Sequence, residues 1–173
     1  TVDPLTGLFN RRHFDRCLEA ETIRARRYGR NLTLVLLDID DFKRYNDRFG
    51  YLAGDDVLKG VAEILKERFR QVDIVTRWGG EEFAVLLPET GKPQPAEVGQ
   101  PGSAPIHFAD RVRRAVEQHV FPHANEMPAG RITLCGGLAA FPTDTSDPRE
   151  LVTLANRALR KAKDSGKNRI CLL

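Results

Sequence analysis

The 173-residue sequence predicts an α+β domain in which a mixed sheet carries helices packed against it. Three observations predict it. Apolar positions alternate along the chain between helical spacing and short buried runs, so helices and strands are interleaved. Two strands follow one another directly through Gly79, Gly80 and Glu81, a hairpin foreign to a doubly wound parallel sheet. The length is that of one ordinary domain, enough to bury a single core without staples.

The elements follow in order. Asn10 caps a helix from Arg11 to about Arg27, with Phe14 and Leu18 at helical spacing and Gly29 beyond its end. "NLTLVLLDID", Asn31 to Asp40, is a buried strand that ends in aspartates. Phe42, Tyr45 and Phe49 define a short amphipathic helix closed by Gly50, and a longer one runs on to about Arg70 with Leu58, Val61, Ala62, Leu65 and Phe69 as its stripe. Strands Asp73 to Trp78 and Phe83 to Leu87 form the hairpin. Pro88 to Pro105, rich in Pro and Gly, is a loop insertion rather than a domain boundary. A helix from His107 to His119, a strand from Ile132 to Ala140, a helix capped by Asp147 with Pro148 at its first position and stopped by Gly166, and a closing strand in "NRICLL" complete the chain. No internal repeat interrupts this order.

Composition narrows the function classes. The chain is 41% hydrophobic and 29% charged, and no apolar run approaches the roughly 20 residues of a membrane-spanning helix, so a soluble domain is expected. The net charge is +3, but 27 basic and 24 acidic residues are interspersed, and aromatics make up only 8%. That pattern lacks the basic stripe with interleaved aromatics of a nucleic-acid groove. Cys17, Cys135 and Cys171 are far apart and without metal-ligand spacing, which suits reduced thiols and a cytoplasmic location. A chain that opens on "TVDPLTG", without Met, reads as an excerpt from something longer, with targeting information expected outside it.

The chemistry lies at the strand ends. Asp38 and Asp40 leave one strand while Glu81 and Glu82 sit on the hairpin, so pairing the two brings carboxylates to one rim. Crowded carboxylates repel one another, and a cation relieves that repulsion. Oxygen donors without His or Cys point to Mg²⁺, or Mn²⁺, rather than zinc. Gly79 and Gly80 let the backbone approach a bulky ligand, although a plain two-residue turn also accounts for them. The plain alternative for Asp40 and Asp41 is a helix cap. Lys43 lies on the first turn of the following helix, where it can face a phosphate or simply solvent. Asn46 and Asp55, an amide and a carboxylate, can together read a guanine edge, and Asp55 can equally be a cap.

"DPLTGLFNRR" (Asp3 to Arg12), "DIDDFKRYND" (Asp38 to Asp47), "FGYLAGD" (Phe49 to Asp55), "RWGGEEF" (Arg77 to Phe83) and "AKDSGKNR" (Ala162 to Arg169) together resemble the GGDEF family of diguanylate cyclases, with the signature as GGEEF. The resemblance covers essentially the whole chain as one domain. It implies a fold similar to the adenylyl cyclase catalytic domain and the polymerase palm, a central, mostly antiparallel sheet flanked by helices. The implied reaction condenses two GTP into cyclic di-GMP and two pyrophosphates across a head-to-head homodimer, with two Mg²⁺ per site. The metal ligands implied are Asp38, the Ile39 carbonyl, Glu81 and, alongside, Glu82, with Glu81 assisting deprotonation of the attacking 3′-hydroxyl. Gly79 and Gly80 make room for the nucleotide, Lys43 contacts its phosphates, and Asn46 and Asp55 read guanine. Arg70 and Asp73 stand at the spacing of the family's RxxD inhibitory site for cyclic di-GMP, which Arg111 is expected to join.

Departures from the family pattern fall mostly on the last helix. Where the family often reads "ADKALYRAK", this chain reads "ANRALRKAK", so Arg157 and Lys161 keep positive charge at phosphate-contacting positions with the residue types exchanged. Tyr51 replaces a common His, Asn156 a common Asp, and the loop Thr90 to Pro105 is longer than usual. Three other readings compete with the cyclase. They are a sensor that binds GTP or cyclic di-GMP without turnover, a cyclase acting within one ATP, and a structural dimerisation domain. Retention of the signature acids and guanine contacts argues against the first, Asn46 with Asp55 against the second, and the acids with the RxxD string against the third.

Overall fold

The computed structural model describes residues 1–90 and 105–173, and β-strands and helices alternate through them as the apolar periods require. In chain order they are β1 (Phe9–Asn10), α1 (Arg11–Tyr28), β2 (Leu32–Ile39), α2 (Phe42–Phe49), α3 (Tyr51–Arg68), β3 (Ile74–Gly79), β4 (Glu82–Pro88), α4 (Pro105–Gln118), a 3-10 turn (Ala124–Glu126), β5 (Leu134–Phe141), α5 (Pro148–Asp164) and β6 (Ile170–Leu172). One six-stranded sheet runs in the order β1-β3-β4-β2-β5-β6. Its four central strands pair antiparallel, and the short outer strands β1 and β6 add in parallel. The mixed, mostly antiparallel sheet of the sequence reading is therefore the observed one.

β2 shows why the sheet is covered on both faces. Every one of its residues is buried, and alternate side chains enter different cores. Leu32, Leu34 and Leu36 pack with Phe14 of α1 and Leu151 and Ala155 of α5, whereas Val35, Leu37 and Ile39 pack with Tyr45, Val61, Leu65 and Val112 of α2, α3 and α4. Each fully buried Leu or Val contributes on the order of 2 kcal/mol. The α5 side is packed unusually tightly at Gly137. A Cβ there would meet the backbone of α5, including the Ala158 carbonyl carbon at 2.7 Å, so the helix can lie this close only over a glycine.

The helix ends follow the capping signals. Asn10 Oδ1 accepts from the His13 backbone N–H at 3.0 Å, Gly29 closes α1 in the left-handed conformation, and Asp147 accepts from the Arg149 N–H ahead of α5. Several details differ from the sequence reading, which did not foresee the edge strand β1 and started α4 at His107 rather than Pro105. β5 begins at Leu134 rather than Ile132, and the last strand is confined to Ile170–Leu172. In the hairpin, Gly79 and Glu82 pair as the final rungs across an irregularity after Arg77, leaving Gly80 and Glu81 as the turn. Of the expected insertion, Pro88 closes β4 and Pro105 opens α4, while residues 91–104 lie outside the described ones. Among the described residues, no helix is long and apolar enough to cross a membrane.

Candidate active site

The site is set by the register of two central strands. Pairing Asp38 on β2 with Glu82 on β4 places both carboxylates on the sheet face that carries α1 and α5. Glu81, one residue earlier and in the turn, lines the cleft on the other side. The two glutamates that are neighbours in sequence thus line different clefts, and both still bear on Asp38 by repulsion. The Ile39 N–H donates to the Glu81 carbonyl at 3.3 Å, which ties the turn to the end of β2.

Asp40 corrects the sequence reading a second time. Instead of facing the rim it is buried, with Oδ2 accepting from Thr133 Oγ1 at 2.8 Å and the Asn168 N–H at 3.0 Å. It anchors the chain after α5 beneath the site, and with burial it helps push the Cys135 thiol up to about 12. Asp41 stands at the N-cap position of α2 but makes no side-chain cap bond; it pairs with Lys167 Nζ at 2.7 Å.

Lys163 is the residue that sequence reasoning missed. Its ammonium lies 3.0 Å from Asp38 Oδ2. Burial pushes the Asp38 carboxyl up to about 6, Lys163 opposes that shift, and Glu81 and Glu82 add to it by repulsion. The signal was available in "AKDSGK", since Lys163 directly follows the buried Ala162 on α5. Arg157 and Lys161, singled out from the sequence, are exposed and line an open cleft of about 940 Å³ together with Glu82, Arg160 and Lys163. Lys161 also donates to the Leu172 carbonyl at 3.2 Å.

The donor set suits a hard divalent cation. Among the described residues no group of three or more His, Cys, Asp or Glu is gathered closely enough to hold a metal by side chains alone. Mg²⁺ does not require that, because one or two carboxylates with a carbonyl, water and substrate phosphate complete its shell. Asp38, raised by burial and by two neighbouring acids, is a carboxylate that a cation would relieve. The residues present therefore fit the group.

On the Glu81 side, Phe42, Lys43, Asn46, Tyr51, Asp55, Arg77 and Gly80 line a cleft of about 380 Å³ with it. Gly79 and Gly80 have φ of 157° and 55°, and an added Cβ on either would meet nothing within 4 Å among the described residues, so the turn leaves open space over the cleft. Arg77, which the sequence reading did not single out, braces it by donating to the Gly80 carbonyl at 3.0 and 3.2 Å and to Asp3 at 3.2 Å. Burial would raise the Asp3 carboxyl, but hydrogen bonds from Thr6 and the Arg77 charge outweigh it and hold it below its ordinary range.

The RxxD pair sits at the start of β3. Arg70 grips Asp73 with its backbone N–H at 2.8 Å and its guanidinium at 2.7 and 3.2 Å, and also reaches Thr90 Oγ1 at 3.1 Å. Both residues line a second cleft of about 380 Å³ with Phe9 and Lys66. Arg111 is not among that cleft's lining residues; it is exposed on α4, 4.5 Å over the ring of Phe108.

A six-stranded, mostly antiparallel sheet with a glycine turn and acids at one rim defines an α+β domain of the GGDEF fold. The family described as "Diguanylate cyclase, GGDEF domain" matches residues 1–169, and the chain belongs to it. The chain is 42% identical over 169 residues to diguanylate cyclase DgcP of Pseudomonas aeruginosa, covering 98% of this chain and 23% of that protein. It is 33% identical to the response regulator PleD of Caulobacter vibrioides, again over 98% of this chain and 35% of the relative. It thus spans well under half the length of these relatives. Among solved structures, the GGDEF domain of DgcB from Caulobacter crescentus in complex with c-di-GMP superposes with a TM-score of 0.82 at 29% identity, over 99% of this chain and 95% of that one. The active GGEEF domain of a diguanylate cyclase from Vibrio cholerae gives 0.80 at 30% identity, over 94% and 96%.

Proposed function

We propose that this domain condenses two GTP into cyclic di-GMP and two pyrophosphates, each copy holding one GTP and two copies meeting head to head. The observation that carries the reading is the placement of Glu81 on the same cleft as Asn46 and Asp55, next to the open glycines Gly79 and Gly80. A cleft of this size accepts a nucleoside. Asn46 and Asp55 read its base, Lys43 and Lys163 hold its phosphates, and Arg157 and Lys161 add positive charge along α5.

Asp38, the Ile39 carbonyl, Glu81 and, from the opposite face, Glu82 would hold two Mg²⁺, or Mn²⁺ in their place. When bound, the ions supply positive charge to the attacking and leaving oxygens of an in-line displacement. The 3′-oxygen of one GTP bonds to the α-phosphorus of the other as the α–β bridging P–O bond breaks and pyrophosphate leaves. Glu81 assists removal of the 3′-proton, which passes to solvent, and a second, symmetric step closes the ring. Lys163 balances Asp38 and lies where a triphosphate can share its charge. Arg70 and Asp73, joined by Arg111 from the other copy, bind product and restrain the enzyme.

The test is incubation of the domain with GTP and Mg²⁺ at high protein concentration, with cyclic di-GMP followed by chromatography. Metal-dependent product that steepens with protein concentration is expected. GTP binding by a demonstrated dimer without product would replace the cyclase by a sensor.

A further inference from the structure

Asn46 carries a buried side-chain oxygen that, among the described residues, has no hydrogen-bond partner. The reason is its neighbour. Oδ1 lies against the backbone of α3 at Gly54, where an added Cβ would overlap Oδ1 and come within 2.9 Å of Cγ and 3.3 Å of Phe42 Cζ. The amide therefore occupies the volume that a side chain at position 54 would otherwise fill. An oxygen in that position receives a weak Cα–H contact, whereas an amino group there would bury two donors with nothing to accept them. The buried oxygen leaves the Nδ2 end toward the cleft that Asn46 lines.

We propose that Gly54 is a positioning residue that turns Asn46 into a hydrogen-bond donor toward the nucleobase, with the adjacent Asp55 supplying the acceptor. The inference rests on the guanine reading of the cleft given above and deepens it. A carboxylate accepts from the N1 and 2-amino hydrogens of guanine, and an amide donor beside it meets a neighbouring ring or carbonyl acceptor of the same base. Adenine lacks the paired donors that Asp55 needs. Discrimination then comes from a donor and an acceptor on adjoining helices, and Gly54 fixes the sense of the first.

The experiment measures binding of 3′-deoxy-GTP and 3′-deoxy-ATP, which cannot attack, with Mg²⁺ by calorimetry. The variants are Asn46→Ala, Asn46→Asp, Gly54→Ala and the double variant Asn46→Ala with Gly54→Ala. Asn46→Ala is expected to lower the preference for guanine about tenfold. Asn46→Asp, of equal size but without a donor, is expected to lower it further. Gly54→Ala should match Asn46→Ala alone and add nothing in its presence, because the space is then free. The same Gly54→Ala change should raise Tm more in the Asn46→Ala background than in the native one, since alanine favours a helix once the clash is gone. A retained guanine preference in Asn46→Asp would overturn the donor assignment. Equal losses from Gly54→Ala in both backgrounds would overturn the positioning role. Both of those results leave the guanine reading in place, whereas a native domain that binds the two nucleotides equally removes that reading and the proposal with it.

Discussion

At the start of β3, Asp73 lies under Arg70, and its carboxylate is gripped by one backbone and two side-chain donors from that single residue. At the other end, six residues on and roughly 20 Å away, Glu81 and Glu82 face separate clefts, and Asp38 beside them has one lysine against two repelling acids. Both ends carry an acid and a base, yet only the first has its charges matched. The matched end is neutralised by its own arginine. The unmatched end carries repulsion that a cation or a phosphate partner would alter, and the proposed chemistry at the signature turn and the proposed product site at the RxxD turn rest on that difference.

The largest expected effect comes from breaking the unmatched end. Glu81→Gln removes a charge and keeps the volume, so Tm should hold or rise while pyrophosphate release falls by about 10²–10³-fold or more. Turnover lowered to that extent with a melting point no lower than native is the expected pair of results. Near-native release from the folded variant would move the metal site away from the turn.

Lys163→Met sharpens the comparison from the opposite side. Removing the lysine leaves Asp38, Glu81 and Glu82 repelling without an internal cation, so the variant should melt lower and be rescued more by Mg²⁺ than the native domain is. Activity should fall about 10–100-fold, the loss of one charge-assisted contact to phosphate. Equal Mg²⁺-induced shifts in Tm for the two proteins would mean that Lys163 and the metal do not share Asp38.

How legible each end was follows from the range of the contacts. Helices α1 and α5 could be read because their caps, Asn10 and Asp147, act within three residues. The hairpin could be read from its glycines. The separation of Glu81 from Glu82 could not, since it depends on an irregular register after Arg77 between β3 and β4 and on the pairing of β4 with β2. Asp40 looked like a rim acid because its partners, Thr133 and Asn168, are supplied by distant segments. Lys163 was missed for the same reason: its partner, Asp38, lies on another layer of the fold. The RxxD pair was the easier case, because three residues of spacing contain the whole ion pair.

A smaller effect is expected from breaking the matched end. Arg70→Ala leaves the buried Asp73, among the described residues, with a backbone donor only, which should cost about 1 kcal/mol, because the arginine side of the pair is half exposed. Synthesis should persist, while the product concentration needed for half inhibition rises about tenfold or more, the loss of a planar cationic contact to phosphate or guanine. Inhibition that is unchanged in Arg70→Ala would assign product binding to some other surface.

Arg111→Ala should have the least effect, and its size depends on whether two copies meet. Arg111 is on α4, stacked over Phe108, and is not among the residues lining the Arg70–Asp73 cleft of its own chain. In the proposed reading it joins that cleft from another copy. At protein concentrations too low for pairing, Arg111→Ala should bind cyclic di-GMP within about twofold of native, as expected for a residue outside the site. At concentrations where the domain pairs, its inhibition should weaken by about threefold to tenfold, the worth of one added charge-assisted hydrogen bond at a half-exposed site. A loss of equal size at both concentrations would place Arg111 in the cleft of its own chain, through a movement of α4 toward β3, and would make the RxxD end the more mobile of the two.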